Sequence, residues 1–136
     1  MRRSEQRRAA VFALYQHDVT GRPIEAALPR DARPLTVALA TAAAARQPEL
    51  DPLIGAHATG WTVERIAPLE RAILRVALVE MLHPEDVPGD QAIPPEGAID
   101  EAVETAKRFC GAQAPGFVNG ILGAVLDAPG GAGPAA

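Results

Sequence analysis

The chain has 136 residues and a formal net charge of −4, and aromatic residues make up only 4% of it. That length suits one domain with a real core and no need of staples. The acidic balance excludes a protein that coats nucleic acid with its whole surface, so any such contact has to be a local patch. A single cysteine, Cys110, excludes an internal disulfide and a cysteine-based metal site. No run of eighteen apolar residues and no basic-then-apolar leader is present, so the expected location is cytoplasmic, with no membrane association. Alanine is abundant and strand formers are sparse, which favours helix before any pattern is read.

The first helix is expected from Arg3 to Asp18, with Ala10, Val11, Leu14 and Tyr15 along one side. Thr20-Gly21-Arg22-Pro23 ends it, since glycine reverses the chain easily and proline bars continuation. Pro23, Pro29 and Pro34 make residues 22–34 a loop with at most a short helix at Ile24–Leu28. Leu35 to Ala45 is apolar on nearly every side, which predicts a helix in the middle of a bundle. A further helix is expected from Glu49 to His57, broken by Gly60, with Thr62 as an N-cap and a short turn at Arg65 and Ile66. The clearest helix runs from Pro68 to His83 and is expected to be central to the fold. Leu69, Ile73, Val76 and Ala77 repeat on one side, and Pro68 suits a first turn that needs no N–H there.

Residues 84–95 read as a loop, and Glu96 to Cys110 as an amphipathic helix that is acidic at its start and basic at its end. A last helix starts near Pro115 and carries Val118, Ile121, Leu122 and Val125. Residues 129–136 hold only Pro, Gly and Ala and are expected to be disordered. The expected architecture is one all-α domain over residues 1–128, six or seven helices, with Gly60 as a seam between halves at about 1–59 and 60–128.

Catalytic groups do not converge in this pattern. His17, His57 and His83 fall at helix ends with no His at i, i+4 to build a metal pair. A phosphate loop is lacking, and the one lysine, Lys107, lies inside a helix. Cys110 sits on an apolar face as a small hydrophobe, and His83 complements a helix C-terminus. No catalytic residue, metal or cofactor is expected.

The basic start is different. Arg2, Arg3, Arg7 and Arg8 fall within eight residues, opposed only by Glu5. Arg3 and Arg7 lie on the side of the helix that Val11 and Leu14 make apolar, so the helix is expected to overhang the bundle at its beginning. Guanidinium groups there can fork onto phosphate oxygens and stack on bases, or the end is simply solvated. A second candidate is Pro115-Gly116-Phe117-Val118-Asn119-Gly120, a helix start that exposes backbone donors. Phe117 either stacks on a base or staples the helix to the core, and Asn119 either caps, holds a loop or reads a base. Glu80 stands among apolar positions and is expected to pair with an arginine or cap a loop.

Taken in order, five segments are far more specific than any alone. They are Arg7 to Tyr15 ending Ala13-Leu14-Tyr15; Gly60-Trp61-Thr62 through Arg65; and Arg71-Ala72-Ile73-Leu74-Arg75-Val76-Ala77 with Glu80-Met81-Leu82. Then come Ala98-Ile99-Asp100-Glu101-Ala102-Val103 with Ala106-Lys107-Arg108-Phe109, and Phe117-Val118-Asn119-Gly120-Ile121-Leu122. The series resembles the transcription antitermination factors of the NusB family, up to about Leu126. The resemblance implies a compact all-α bundle of about seven helices in two subdomains, without catalytic activity. It implies binding of boxA RNA in ribosomal RNA transcripts together with the ribosomal protein NusE, within a complex that includes NusA, NusG and RNA polymerase. By position it implies Arg2, Arg3, Arg7, Phe117 and Asn119 as RNA-binding residues, and Tyr15 and Glu70 as partner-binding residues. For Tyr15, core packing stays open as an alternative. Self-association occurs in some members, so monomer and homodimer are both expected states.

The sequence departs from the family pattern at Asp100, often Asn, and at Gly116, often basic; Ser4 and Glu5 stand where arginine is frequent. These departures imply modest RNA affinity for the chain by itself. A NusB-like appendage of an RNA cytosine methyltransferase is the enzymatic alternative, and the chain is too short for a catalytic domain as well. A helical adaptor that binds protein alone is the third.

Overall fold

The structure is a computed structural model that describes residues 1–128. The expectation of a disordered tail at 129–136 lies outside the described residues. Seven α-helices and no strand are present among them: α1 Arg3–Thr20, α2 Ile24–Ala27, α3 Pro34–Ala45, α4 Gln47–His57, α5 Pro68–Leu82, α6 Pro95–Phe109 and α7 Ala114–Asp127. Single 3-10 turns at Val63–Arg65 and Pro84–Asp86 bracket α5. The all-α expectation and the helix count hold.

Helix starts follow one rule. None of the seven carries a side-chain cap, and α3, α4, α5, α6 and α7 each place a proline in the first two positions. A first-turn N–H has no intrahelical acceptor, so proline removes a donor that would otherwise go unsatisfied. Thr62 stands before the 3-10 turn, but its side chain makes no cap bond, contrary to expectation. Helix α1 ends at Gly21 with φ 73, and the turn after α4 passes Gly60 at φ 79, both in the left-handed region that glycine enters without a Cβ clash.

The middle of the bundle is α5, as its wide apolar stripe predicts, whereas α3, also expected there, is not. Every residue from Ala72 to Met81 is buried, and α1, α3, α4, α6 and α7 all pack on this helix. Helix α3 buries Leu35, Thr36, Leu39, Ala40 and Ala43 but leaves Val37, Thr41 and Ala45 exposed. Its all-round apolar look came from alanines, whose small surface costs little to leave in water.

Three arginines fasten α1 along α5. Arg7 meets Glu80 with its Nε 2.9 Å from both carboxylate oxygens. At the other end Asp18 accepts from Arg71 (3.2 Å) and Arg75 (3.3 Å), one turn apart on α5. Arg75 also grips Asp51 of α4 through two 2.9 Å bonds. Early α1 residues therefore meet late α5 residues and the reverse, so the two helices run antiparallel.

Candidate RNA and partner face

Helix α6 flanks the outer side of α1 and runs parallel to it. Ser4 Oγ donates to Glu101 Oε2 at 2.8 Å, and two turns on Phe12 meets Phe109 edge-to-face with ring centroids 5.0 Å apart. Between these contacts lies an open polar cleft of about 670 Å³ lined by Arg2, Arg8 and Arg108 and by Glu5, Asp100, Glu101 and Glu104. Arg108 pairs with Glu104 at 3.1 Å on the solvent side. Among the described residues, Arg2 and Arg8 have no carboxylate within ion-pair distance. A chain of phosphates entering here finds two unpaired guanidinium groups and an exposed aromatic, Phe109 at 47%. It also meets more carboxylates than arginines, which lowers the pull.

The first-turn arginines do not act alike. Arg2 lines the cleft, and Arg3 is exposed with Asp90 3.5 Å away. Arg7 overturns the expectation of an overhang. Its side chain is 7% exposed and its partner Glu80 2%, and its Nη2 donates to the Gln91 carbonyl at 3.3 Å. The helix already touches the bundle at this position, so Arg7 is structural and its guanidinium is closed to a ligand. The expected arginine partner of Glu80 is thus Arg7, and Arg75 serves Asp18 and Asp51 instead. Burial pushes the Glu80 carboxyl above its ordinary range, and the Arg7 charge and hydrogen bond oppose that without cancelling it.

Past Phe109 the face continues into a second hollow, about 600 Å³, around Trp61, Arg65, Glu70, Gln113 and Phe117. Phe117 is half-buried against the core and meets Trp61 at 6.4 Å between centroids, 70° between planes. It thus staples α7 and also offers part of its ring. Glu70 is half-buried on α5 and forms no ion pair among the described residues; burial raises its carboxyl pKa. The neighbouring Cys110 thiol is pushed up too, by burial first and by the Glu70 charge second, so it is a poor nucleophile. Tyr15 is half-buried and packs against the core from the side of α1 that carries Ser4 and Arg8. Asn119 is exposed on α7 and lines neither hollow.

Arg8, Arg108, Phe109 and Trp61 belong to this face and were not singled out from the sequence as site residues. Arg108 was hidden because an end-of-helix basic residue has a simpler dipole explanation, and Phe109 because its exposure and its contact with Phe12 are tertiary. Elsewhere, His83, Glu85 and Asp86 converge within 4.8 Å. Arg46 already supplies their positive charge, 2.6 Å from Asp86 and 3.6 Å from Glu85. Its own pKa is raised, chiefly by the hydrogen bond to Asp86. Glu85 is lowered, first by a backbone hydrogen bond and then by His83.

Comparison with known proteins places this geometry. The sequence model of the NusB family matches residues 4–127. The chain belongs to the NusB family. It is 39% identical over 133 residues to the transcription antitermination protein NusB of Rubrobacter xylanophilus, covering 93% of this chain and 91% of that one. Among solved structures it is similar to T. maritima NusB, with TM-score 0.77, 28% identity, and coverage of 90% of this chain and 89% of that one. The fold also matches a crystal structure of the antitermination factors NusB and NusE in complex with dsRNA, at TM-score 0.73 and 24% identity, covering 91% of this chain and 96% of that one. The NusB-family resemblance and the all-α bundle expected from the sequence are therefore found.

Proposed function

We propose that this NusB-family chain is a non-enzymatic antitermination factor. It binds boxA-type RNA of ribosomal RNA transcripts together with NusE, and supports processive elongation by RNA polymerase alongside NusA and NusG in the cytoplasm. The observation that carries the proposal is the α1–α6 cleft, where Arg2 and Arg8 stand without carboxylate partners beside exposed Phe109. Family membership supports it from a separate direction. On this reading RNA is held by Arg2, Arg3, Arg8 and Arg108, with Phe117 and Asn119 further along the path, and Tyr15 and Glu70 face the protein partner. On this reading Arg7, expected from the sequence to meet RNA, is instead held inside the fold by Glu80, and Arg8 and Arg108 take its place.

The test is a titration of boxA RNA across salt concentrations, with and without NusE. Each phosphate held on a single strand contributes about −0.7 to the slope of log K against log salt. Arg2 and Arg8 alone therefore predict a slope of roughly −1.4 for the chain, steepening toward about −2.8 when Arg3 and Arg108 also exchange their carboxylates for phosphate. Absence of salt-dependent binding in both arms refutes the RNA function and leaves a protein-only adaptor.

A further inference from the structure

The connection from α2 to α3 carries two arginines that the fold does not use. Arg30 and Arg33 are exposed, and among the described residues neither reaches a carboxylate within ion-pair distance. The loop that presents them is braced. The Ala32 N–H donates to the Pro29 carbonyl at 3.1 Å, and Pro29 and Pro34 fix the backbone on either side. Buried Thr36 then donates its hydroxyl to the Gln6 carbonyl of α1 at 2.9 Å. That bond seats the start of α3 on the start of α1, one turn from Arg33 on one helix and one turn from Arg2 and Arg3 on the other. Arg33 is the N-cap of α3, where the dipole opposes a cation, so it does not complement a helix end.

Successive residues of α1 turn by about 100°, which decides what lies around it. Ser4, Arg8 and Phe12 face α6, Gln6 with buried Ala10 and Ala13 faces α3, and Arg7 with Val11 faces α5. The side that remains, Glu5, Ala9 and Gln16, borders the α6 cleft on one hand and α3 on the other, and it is lowest at Ala9. We propose that Arg30 and Arg33 hold phosphates of the RNA segment next to boxA, where the strand leaves the α1–α6 cleft and crosses α1 at Ala9. This rests on the proposed function, in which RNA occupies that cleft. Arg2 lines the cleft and precedes Gln6 by one turn, so it borders both parts of the path. The cleft holds more carboxylates than arginines, and the cations beyond it supply attraction that it lacks. Guanidinium groups fork onto phosphate oxygens. Between Pro29 and Pro34 there is neither an aromatic to stack on a base nor a large apolar side chain for a protein to pack on. The contact is therefore to the backbone, without sequence preference, and Glu5 and Asp31 keep it modest.

The test compares fluorescently labelled boxA RNA with the same RNA carrying a short uridine tail at its 5′ end or at its 3′ end. Each is titrated into the full chain across salt concentrations, with and without NusE. The expected result is that a tail at one end, and not at the other, tightens binding about fivefold at low salt. That tail also steepens the slope of log K against log salt by about −1.4, for two further phosphates. The variant Arg30→Gln/Arg33→Gln is expected to bind untailed RNA as the wild type does and to lose the gain from the tail. Arg30→Lys/Arg33→Lys keeps the steeper slope, because the charge is retained. Far-ultraviolet dichroism confirms that both variants fold. If neither tail tightens binding, or if the glutamine variant keeps the gain, the inference is wrong and the proposed function stands. An equal loss for untailed RNA places the two arginines on boxA itself and overturns the flanking assignment. Weaker NusE binding by the glutamine variant without RNA gives the surface to a protein and overturns it as well. If untailed RNA shows no salt-dependent binding in either arm, both the inference and the proposed function fall.

Discussion

The Arg7–Glu80 pair makes the sharpest test, because it separates an arginine buried in an ion pair from the exposed neighbours proposed to meet RNA. Both side chains are almost wholly buried and joined by 2.9 Å bonds. Removing one partner leaves an uncompensated buried charge, which costs about 3–5 kcal/mol. Arg7→Met and Glu80→Gln are each expected to lose that much in urea unfolding at pH 7, followed by far-ultraviolet dichroism. The double variant Arg7→Met/Glu80→Met removes both desolvation penalties and fills similar volume. It is expected to regain nearly all the loss, with a coupling of several kcal/mol between the sites. The pH dependence follows from the raised Glu80 pKa. The folded state holds this proton more tightly than the unfolded one, so the group's contribution is full below the ordinary carboxylate range. It declines as pH rises through the raised value. Without Arg7 the carboxyl moves higher still, so Arg7→Met is expected to be less damaging at pH 5 than at pH 8. Additive single effects would refute the pair as described. A stable double variant with lost boxA affinity would return Arg7 to the RNA face.

Neutralising the cleft acids with Asp100→Asn and Glu104→Gln is expected to tighten RNA binding a few-fold at low salt, by about 1 kcal/mol at most per charge, and the gain is expected to vanish at high salt. Filter binding at two salt concentrations checks both statements. Arg2→Ala with Arg8→Ala is expected to flatten the salt slope while leaving the unfolding midpoint unchanged, since neither guanidinium forms an ion pair among the described residues. Gly60→Ala meets no atom within 4 Å and so costs only its left-handed backbone, about 1 kcal/mol by chemical denaturation, with Gly60→Asn milder. Cys110 is expected to react with iodoacetamide more slowly than free cysteine at neutral pH, and faster in Glu70→Gln, where one cause of its raised pKa is gone.

Helix identity was legible because three-and-four periodicity, glycine reversals and first-turn prolines all act locally, and α5 in particular matched its apolar stripe. What misled was depth. Alanine satisfies a helical wheel without demanding burial, so α3 looked central while one of its sides faces water. The wheel also placed Arg7 correctly, on the side of Val11 and Leu14, and the inference of an overhang went wrong at the next step. A cation on an apolar stripe has two resolutions, extension beyond the core or a buried partner. Deciding required contact between residues 73 positions apart. Glu80, an anion on the stripe of α5, was the other half of the signal. The cleft was less legible, since the parallel pairing of Ser4 with Glu101 and Phe12 with Phe109 is tertiary.

The placement of arginines bears on why the chain would act with a partner. Arg7, Arg71 and Arg75 are committed to Glu80, Asp18 and Asp51, and those bonds set the angle at which α1 lies on α5. Arg8 and Phe12 lie on the side of α1 that faces α6, where the cleft forms. The positive charge left for RNA is therefore small, and the carboxylates of α6 reduce it again. On the proposed reading, such a surface discriminates poorly among RNAs by electrostatics alone. Useful affinity then requires a second body that adds phosphate contacts of its own and seats beside this face. On that reading, binding of RNA and of the protein partner is expected to be cooperative.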